Sequence, residues 1–485
     1  MAQIGAAMAY ARIAGRDGDG ARPGAGSRVA VIDDGIDTGH WEFRRLAISQ
    51  ACHSTEGCGD RTHGTPVSSV IAARRDSTLT FDPPDTAQYN FHGVAWGLDR
   101  LQMLSIPLRG GSSGNYAGIA DADVDDAVDR LAGYFSELRQ PVDFVNMSFG
   151  RSGLIENYQG KTFEPLYAPA VQVLAQTGKA TGKTILVVAA GNAHGRPCSS
   201  PEPSCVGGNI DATSPELYPG LPVLEDSLRS HMVAVVATDS SGNIASFSNR
   251  CGIAAKWCIA APGDTMQLAI YQPGPPSRRG YGERRGTSFA TPHVTGGLAV
   301  MKHWFRSQLA NEALLERLYL TARVTPDPAA AHGGTCPEYL DLDGDRSRCE
   351  LSSVFGRGLM DLGAATAPQG TMTIALGGQV AEGGTPAAGS RLLAGRALGD
   401  ALSRSLAGRP IALFDELDAP FWTDASRFAG RAEAPGPALR LSRWFADMAA
   451  DAPAASGQDE GLRFHMDAPE AAHLPVPDNG VRSHN

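Results

Sequence analysis

Several short apolar runs, rich in Val and Ile and bounded by Gly, Asp or Asn, mark the first half of the chain: Val29 to Ile32, Leu101 to Leu108, Val142 to Met147, Thr184 to Ala190 and Met232 to Ala237. Runs of this length without polar alternation predict strands buried on both faces. Between them lie stretches with helical spacing, Val67 to Arg74, Asp123 to Leu138 and Leu166 to Thr177. A longer one follows Ser288, with Val294, Leu298, Met301 and Phe305 on one face. Strands alternating with helices predict an α/β fold, a three-layer doubly wound sandwich around a mostly parallel central sheet. Functional residues in such sheets collect beyond the carboxyl ends of the strands.

The pattern changes after about residue 366. Segment 367–390 is rich in Gly, Ala, Pro and Thr and reads as a linker. A helix over Arg391 to Leu406 and an apolar patch from Ile411 to Trp422 are predicted next, and then Ala, Pro and Asp dominate, a composition with which poor order is expected. The expected organisation is a large domain over 1–366, a linker over 367–390 and a C-terminal segment over 391–485.

Composition narrows the class of partner. At 485 residues and 42% hydrophobic content the chain can bury a sizeable core. Its 42 Lys and Arg against 52 Asp and Glu give a formal charge of −10, with no dense basic run to neutralise phosphates, which argues against nucleic acid. No stretch approaches 18 uninterrupted apolar residues, so no spanning helix is expected, and a monomer is expected. Met1 to Tyr10 lacks the basic and apolar segments of an export signal. The eight cysteines nevertheless form four close sequential pairs, Cys52/Cys58, Cys198/Cys205, Cys251/Cys258 and Cys336/Cys349, none with C-x-x-C spacing. Local disulfides explain this better than eight free thiols and point to secretion or the cell surface. The expectation is an exported protein whose signal has been removed from this version of the chain.

Four segments carry chemistry. The run from Arg28 to Asp37 is a buried strand ending in Asp33, just before the turn glycine Gly35. An aspartate there is often only a turn-former. Thr62 to Val67 puts His63 at a helix start, with Gly64 permitting close backbone approach and Pro66 suited to a first turn. A histidine acting as base near neutral pH needs an anionic partner that fixes its tautomer. Gly286 to Val294 places Ser288 between small residues at the opening of the long apolar helix. It reads as an N-cap, or as a nucleophile whose oxyanion would face helix N–H groups. Leu186 to Asn192 is a strand running into Gly191 and Asn192, whose amide could complete an oxyanion hole.

Together, in the order Asp, His, Ser, these segments resemble the subtilisin-like serine protease family over roughly residues 1–366. The resemblance implies an endopeptidase working through an acyl-enzyme, in which Asp33 orients His63, His63 deprotonates Ser288, and Asn192 with the Ser288 N–H holds the oxyanion. It also implies that Ser148, Phe149 and Gly150, with Gly191, pair with an extended peptide opposite a rim containing Gly114. Protein or peptide substrates and no redox or nucleotide cofactor follow. The competing reading is a catalytically inactive protease fold serving as an envelope binding module. An esterase is disfavoured because Gly-Thr-Ser-Phe-Ala lacks the Gly-x-Ser-x-Gly elbow.

Some features depart from the family pattern. Pro66, Ser68 and Ser69 replace a usual second His and Ala-Gly pair, and Asp34 replaces a small uncharged residue. Neighbouring strand side chains point to opposite faces, so Asp34 need not join Asp33. If it approaches His63 it would favour the imidazolium. Asp341, Asp343 and Asp345, between Cys336 and Cys349, alternate as in calcium loops but lack the sixth-position glycine and the twelfth-position glutamate. Calcium is the lesser reading there, beside a solvated acidic loop. Phe355 to Leu362 and Ala412 to Trp422 resemble the stretch joining subtilisin-like passengers to the barrel of bacterial autotransporters. The residues after Trp422 are too few for such a barrel.

Overall fold

The computed structural model describes residues 1–18, 20–52, 59–75, 92–106, 129–130, 132–134, 142–159, 184–198, 204–323, 351–374, 385–386, 392–394 and 396–431. The predicted helix over Leu166 to Thr177, the rim around Gly114, the calcium-like aspartates Asp341, Asp343 and Asp345, and the Cys336/Cys349 pair lie outside them.

The described residues build a seven-stranded parallel sheet. Its strands are β1 (Val29–Asp33), β2 (Ala47–Cys52), β3 (Arg100–Ser105), β4 (Phe144–Met147), β5 (Ile185–Ala189), β6 (Met232–Thr238) and β7 (Cys258–Pro262), in the order β2-β3-β1-β4-β5-β6-β7. All five predicted runs are strands, and β2 and β7 are additional. β2 is an edge strand with largely exposed positions, and β7 is the opposite edge, made mainly of small residues. Neither carries the Val/Ile signature of a central strand.

Alternation within the buried runs divides the core into two layers. Val29 and Val31 of β1 and Ile185 and Val187 of β5 face one hydrophobic cluster, while Ala30, Ile32, Leu186 and Val188 face the other. The first layer is covered by α1 (Ala6–Asp17), α2 (Gly64–Ala72) and the long α4 (Thr287–Trp304). The second is covered by α3 (Leu217–Leu224) through Leu217 and Leu221. Each fully buried aliphatic side chain contributes about 1.5–3 kcal/mol, so period-two burial on both faces fixes the strand register.

α4 runs against the strand direction, which sets where its ends fall. At the amino ends of the strands, buried Asp143 bonds Arg28 Nη2 at 2.9 Å and Lys302 Nζ at 3.0 Å. Burial alone would raise the Asp143 pKa, but these two cations hold it below the ordinary value. The other end of α4, carrying Ser288, therefore lies at the carboxyl ends. A hairpin of β8 (Met266–Gln272) and β9 (Arg278–Arg284) leads into it.

By its contacts the chain divides into two compact units, Met1–Arg391 with Gly408–Ala425, and Leu392–Ala407 with Ser426–Asn485. The first thus includes residues that the composition assigns to a C-terminal segment. Arg317 Nη2 meets Asp415 at 2.7 Å with both side chains buried, and Phe421 packs edge-on against Phe305 at 5.7 Å. In this unit a small sheet joins β10 (Thr373–Ile374), β11 (Thr385–Pro386), β12 (Pro410–Phe414) and β13 (Pro420–Asp424). The second unit holds the helix Arg396–Leu406 and the parallel pair Leu392–Ala394 and Ala429–Arg431. Among the described residues no helix is long and apolar enough to cross a membrane.

Candidate active site

β1, β4 and β5 are adjacent at the centre of the sheet, and the strand order reverses beside β1. Their carboxyl ends deliver Asp33, Ser148 and Gly191–Asn192 to one crevice, the position at which open α/β sheets place their sites.

Asp33 is the last residue of β1 and is wholly buried. Its Oδ1 accepts from the Asp34 N–H and from His63 Nδ1, both at 2.8 Å. The second oxygen, Oδ2, is buried without a donor among the described residues, so the charge is directed at the imidazole. His63 immediately precedes α2. Its close approach depends on Gly64, where a Cβ would collide with the Gly35 carbonyl and lie 3.1 Å from the Asp33 Cβ.

Asp34 does approach the histidine. β1 ends at Asp33, so strand alternation no longer governs the next residue, and the Asp34 carboxylate turns onto the start of α2. It accepts from the His63 N–H at 2.9 Å, the Gly64 N–H at 2.6 Å and Thr62 Oγ1 at 3.2 Å. It thereby satisfies helix N–H groups that an N-cap side chain would otherwise meet. Burial, then the neighbouring Asp33, push the Asp34 pKa up, against the pull of its backbone donors. On His63, burial acts to lower the pKa, but the charge and hydrogen bond of Asp33, joined by Asp34, hold it above the ordinary 6.5, with Arg284 opposing.

Ser288 is the second residue of α4. The His63 ring lies 5.6 Å from the ring of its neighbour Phe289, which brings the two segments together. Ser288 Oγ donates to the Ser148 carbonyl at 3.0 Å, and Ser148 Oγ donates to the Ser288 carbonyl at 2.7 Å. Asn146, buried on β4, steadies this exchange: its Nδ2 donates to Ser148 Oγ at 2.8 Å while its Oδ1 accepts from Thr295 of α4 at 3.0 Å. Asn192 Oδ1 accepts from the Thr287 N–H at 2.8 Å and from Thr287 Oγ1 at 3.1 Å. With its oxygen engaged, the amide nitrogen remains as the donor. An open pocket of about 500 Å³ borders Asn192 and Gly286 and is lined also by His194, Arg196, Phe247 and Arg285.

The structure therefore brings Asp33, His63, Ser288, Asn192, Ser148, Phe149, Gly150 and Gly191 to one end of the sheet, and Gly114 lies outside the described residues. Asn146 and Thr287 were not singled out by the sequence, although both stand inside the segments that carry Ser148 and Ser288. His293, in the same run as Ser288, is buried against the Phe289 carbonyl, and burial pushes its pKa down to about 3. It is a neutral core residue. Two of the expected disulfides are present, Cys198–Cys205 and Cys251–Cys258; Cys52 is disulfide-bonded, and its expected partner Cys58 lies outside the described residues. Among the described residues there is no group of three or more His, Cys, Asp or Glu placed to hold a metal ion.

The sequence profile of the Subtilase family (Peptidase_S8) matches residues 24–358. Serotype-specific antigen 1 of Mannheimia haemolytica is 35% identical over 99 residues, which are 20% of this chain and 11% of that protein. An extracellular protease of Xanthomonas campestris pv. campestris is 27% identical over 345 residues, 64% of this chain and 49% of that one. The chain thus spans about half, or less, of the length of these relatives. Among solved structures, MycP1 with its N-terminal propeptide removed is 21% identical, covers 75% of this chain and 97% of its own, and has a TM-score of 0.46. A family match over most of the chain, on a parallel α/β sandwich with these residues at its carboxyl end, establishes that the chain belongs to the subtilase family of serine peptidases.

Proposed function

We propose that the protein is a serine endopeptidase that hydrolyses peptide bonds in proteins through Asp33, His63 and Ser288. The observation that carries this reading is the 2.8 Å bond from His63 Nδ1 to the buried Asp33, at the end of the sheet where α4 also brings Ser288. That bond fixes the tautomer in which Nε2 is the free base. Ser288 Oγ turns from the Ser148 carbonyl toward Nε2, gives up its proton and attacks the scissile carbonyl. The tetrahedral oxyanion is met by Asn192 Nδ2 and by the Ser288 N–H, one of the unpaired donors at a helix start. His63 then protonates the leaving amine, and water attacks the acyl-enzyme by the reverse proton path.

An extended substrate pairs with the segment from Ser148 to Gly150. The disulfides and the extracellular relative support action outside the cytoplasm, in a secreted or surface-held protein. The resemblance of Ala412–Trp422 to an autotransporter connector belongs to the same reading. Labelling with a fluorophosphonate probe, mapped by mass spectrometry, tests the mechanism. We expect one adduct, on Ser288, absent from Ser288→Ala; a protein that takes no label is the inactive binding module instead.

A further inference from the structure

Thr287 holds the side-chain oxygen of Asn192, but the direction of the Nδ2 donor also depends on how the backbone carries the residue. Two peptide planes meet at the Asn192 Cα, one containing the Gly191 carbonyl and the other the Ala193 N–H. Peptide groups are planar, so holding both planes sets φ and ψ of the residue between them. A single residue holds both. The Asn249 N–H donates to the Gly191 carbonyl at 3.0 Å, and Asn249 Oδ1 accepts from the Ala193 N–H at 2.8 Å.

Asn249 is itself fixed. It lies in the connection between β6 and β7 and is wholly buried. Its Nδ2 donates to the Ser214 carbonyl at 3.1 Å, and its own carbonyl accepts from Ser248 Oγ at 2.8 Å. That hydroxyl in turn accepts from the Ala237 N–H of β6 at 3.0 Å, which ties the connection back to the sheet. The side chain must offer an acceptor to Ala193 and a donor to Ser214 from one planar group. An asparagine amide does this at any pH, and a carboxyl only when protonated. Gly191, at φ +114°, supplies the turn between β5 and the clamped residue.

We infer that Asn249 is a positioning residue for the reaction: by holding the peptide groups on both sides of Asn192, it aims the Asn192 amide nitrogen at the oxyanion. The inference rests on the peptidase reading above. Because Asn249 acts through Asn192, its loss should matter only while Asn192 is there to be aimed. A group displaced by about 1 Å in a catalytic site costs on the order of 10²-fold in rate.

The rate at which a fluorophosphonate labels Ser288 tests this without a choice of peptide, because the phosphoryl oxygen takes the oxyanion position as the serine attacks. Asn249→Ala should slow labelling by about 10–100-fold, while the final labelled fraction, which counts folded molecules, stays high. Asn192→Ala should slow it at least as much, and adding Asn249→Ala to that variant should cost less than about a further threefold. Should Asn249→Ala not fold, Asn249→Asp keeps the shape. Its rate relative to wild type should be highest at acid pH, with the carboxyl protonated, and fall as a carboxylate forms against the Ser214 carbonyl. An unchanged rate in Asn249→Ala, a loss that multiplies in full with that of Asn192→Ala, or a relative rate of Asn249→Asp that does not vary with pH would overturn the inference. In each of those cases, labelling of wild-type Ser288 would leave the peptidase reading standing. If the wild type takes no label, that reading fails, and this inference with it.

Discussion

The two halves of the site are built differently. On the side of β1 and α2, Asp33 and Asp34 together accept five hydrogen bonds from Asp34, Thr62, His63 and Gly64, and Gly64 has no room for a side chain. On the side of β4, β5 and α4, Ser288 Oγ is bonded to the Ser148 carbonyl, so the proposed mechanism requires it to rotate before it can act as the nucleophile. In that proposed mechanism the base is set in advance and the nucleophile is positioned by a side-chain turn. Exchanging one neutral hydrogen bond for another in that turn involves about 0.5–1.5 kcal/mol, a minor part of a catalytic barrier. Geometry on the His63 side should therefore be the less forgiving of the two.

The severest way to break this comparison is to remove either partner. Ser288→Ala or His63→Ala should each lower kcat by about 10⁶-fold, the scale known for the same residues of subtilisin, and the double variant should lose little more. Additive losses, measured on one peptide substrate, would show that the two halves do not act as a unit. Asn192→Ala should lower kcat by about 10²–10³-fold with KM little changed, as for the matching asparagine of subtilisin, because the oxyanion forms only in the transition state. A change confined to KM would assign Asn192 to ground-state binding.

Gly64→Ala sharpens the contrast. The new methyl must displace the Gly35 carbonyl or α2, at about 1–3 kcal/mol of strain, and should depress kcat through a misplaced His63 while fluorescence-monitored unfolding shifts to lower denaturant. Wild-type kcat in this variant would show that the acid–base half is looser than described. The gentlest change is Asp34→Ser. Asp34 favours the imidazolium, so removing its charge lowers the pH at which His63 becomes neutral. The acid limb of kcat/KM should move to lower pH, raising relative activity on the acid side. An unmoved limb would confine Asp34 to capping α2.

Much of this is legible in the sequence, for identifiable reasons. β1, β3, β4, β5 and β6 are unbroken or nearly unbroken apolar runs because both of their faces are buried, and α4 shows its spacing because one helix covers several strands. The candidate Asp, His, Ser and Asn announce themselves by sitting where those patterns stop. Edge strands β2 and β7 do not, since half-exposed or small residues carry little periodic signal. Asp34 illustrates a different limit: alternation predicts its direction only while the strand continues, and the strand ends one residue earlier. The inclusion of Gly408–Ala425 in the larger unit was equally hidden, because it depends on the distant pair Arg317 and Asp415.

The pairing of a preset base with a rotating serine is tested most directly by the rate at which a fluorophosphonate acylates Ser288 as a function of pH, in the wild type and in His63→Ala. The wild-type rate should rise with pH along a limb whose midpoint lies above 6.5, the ordinary histidine value, and His63→Ala should lack that limb and react at least about 10²–10⁴-fold more slowly. Equal rates and equal pH profiles in the two proteins would contradict the account.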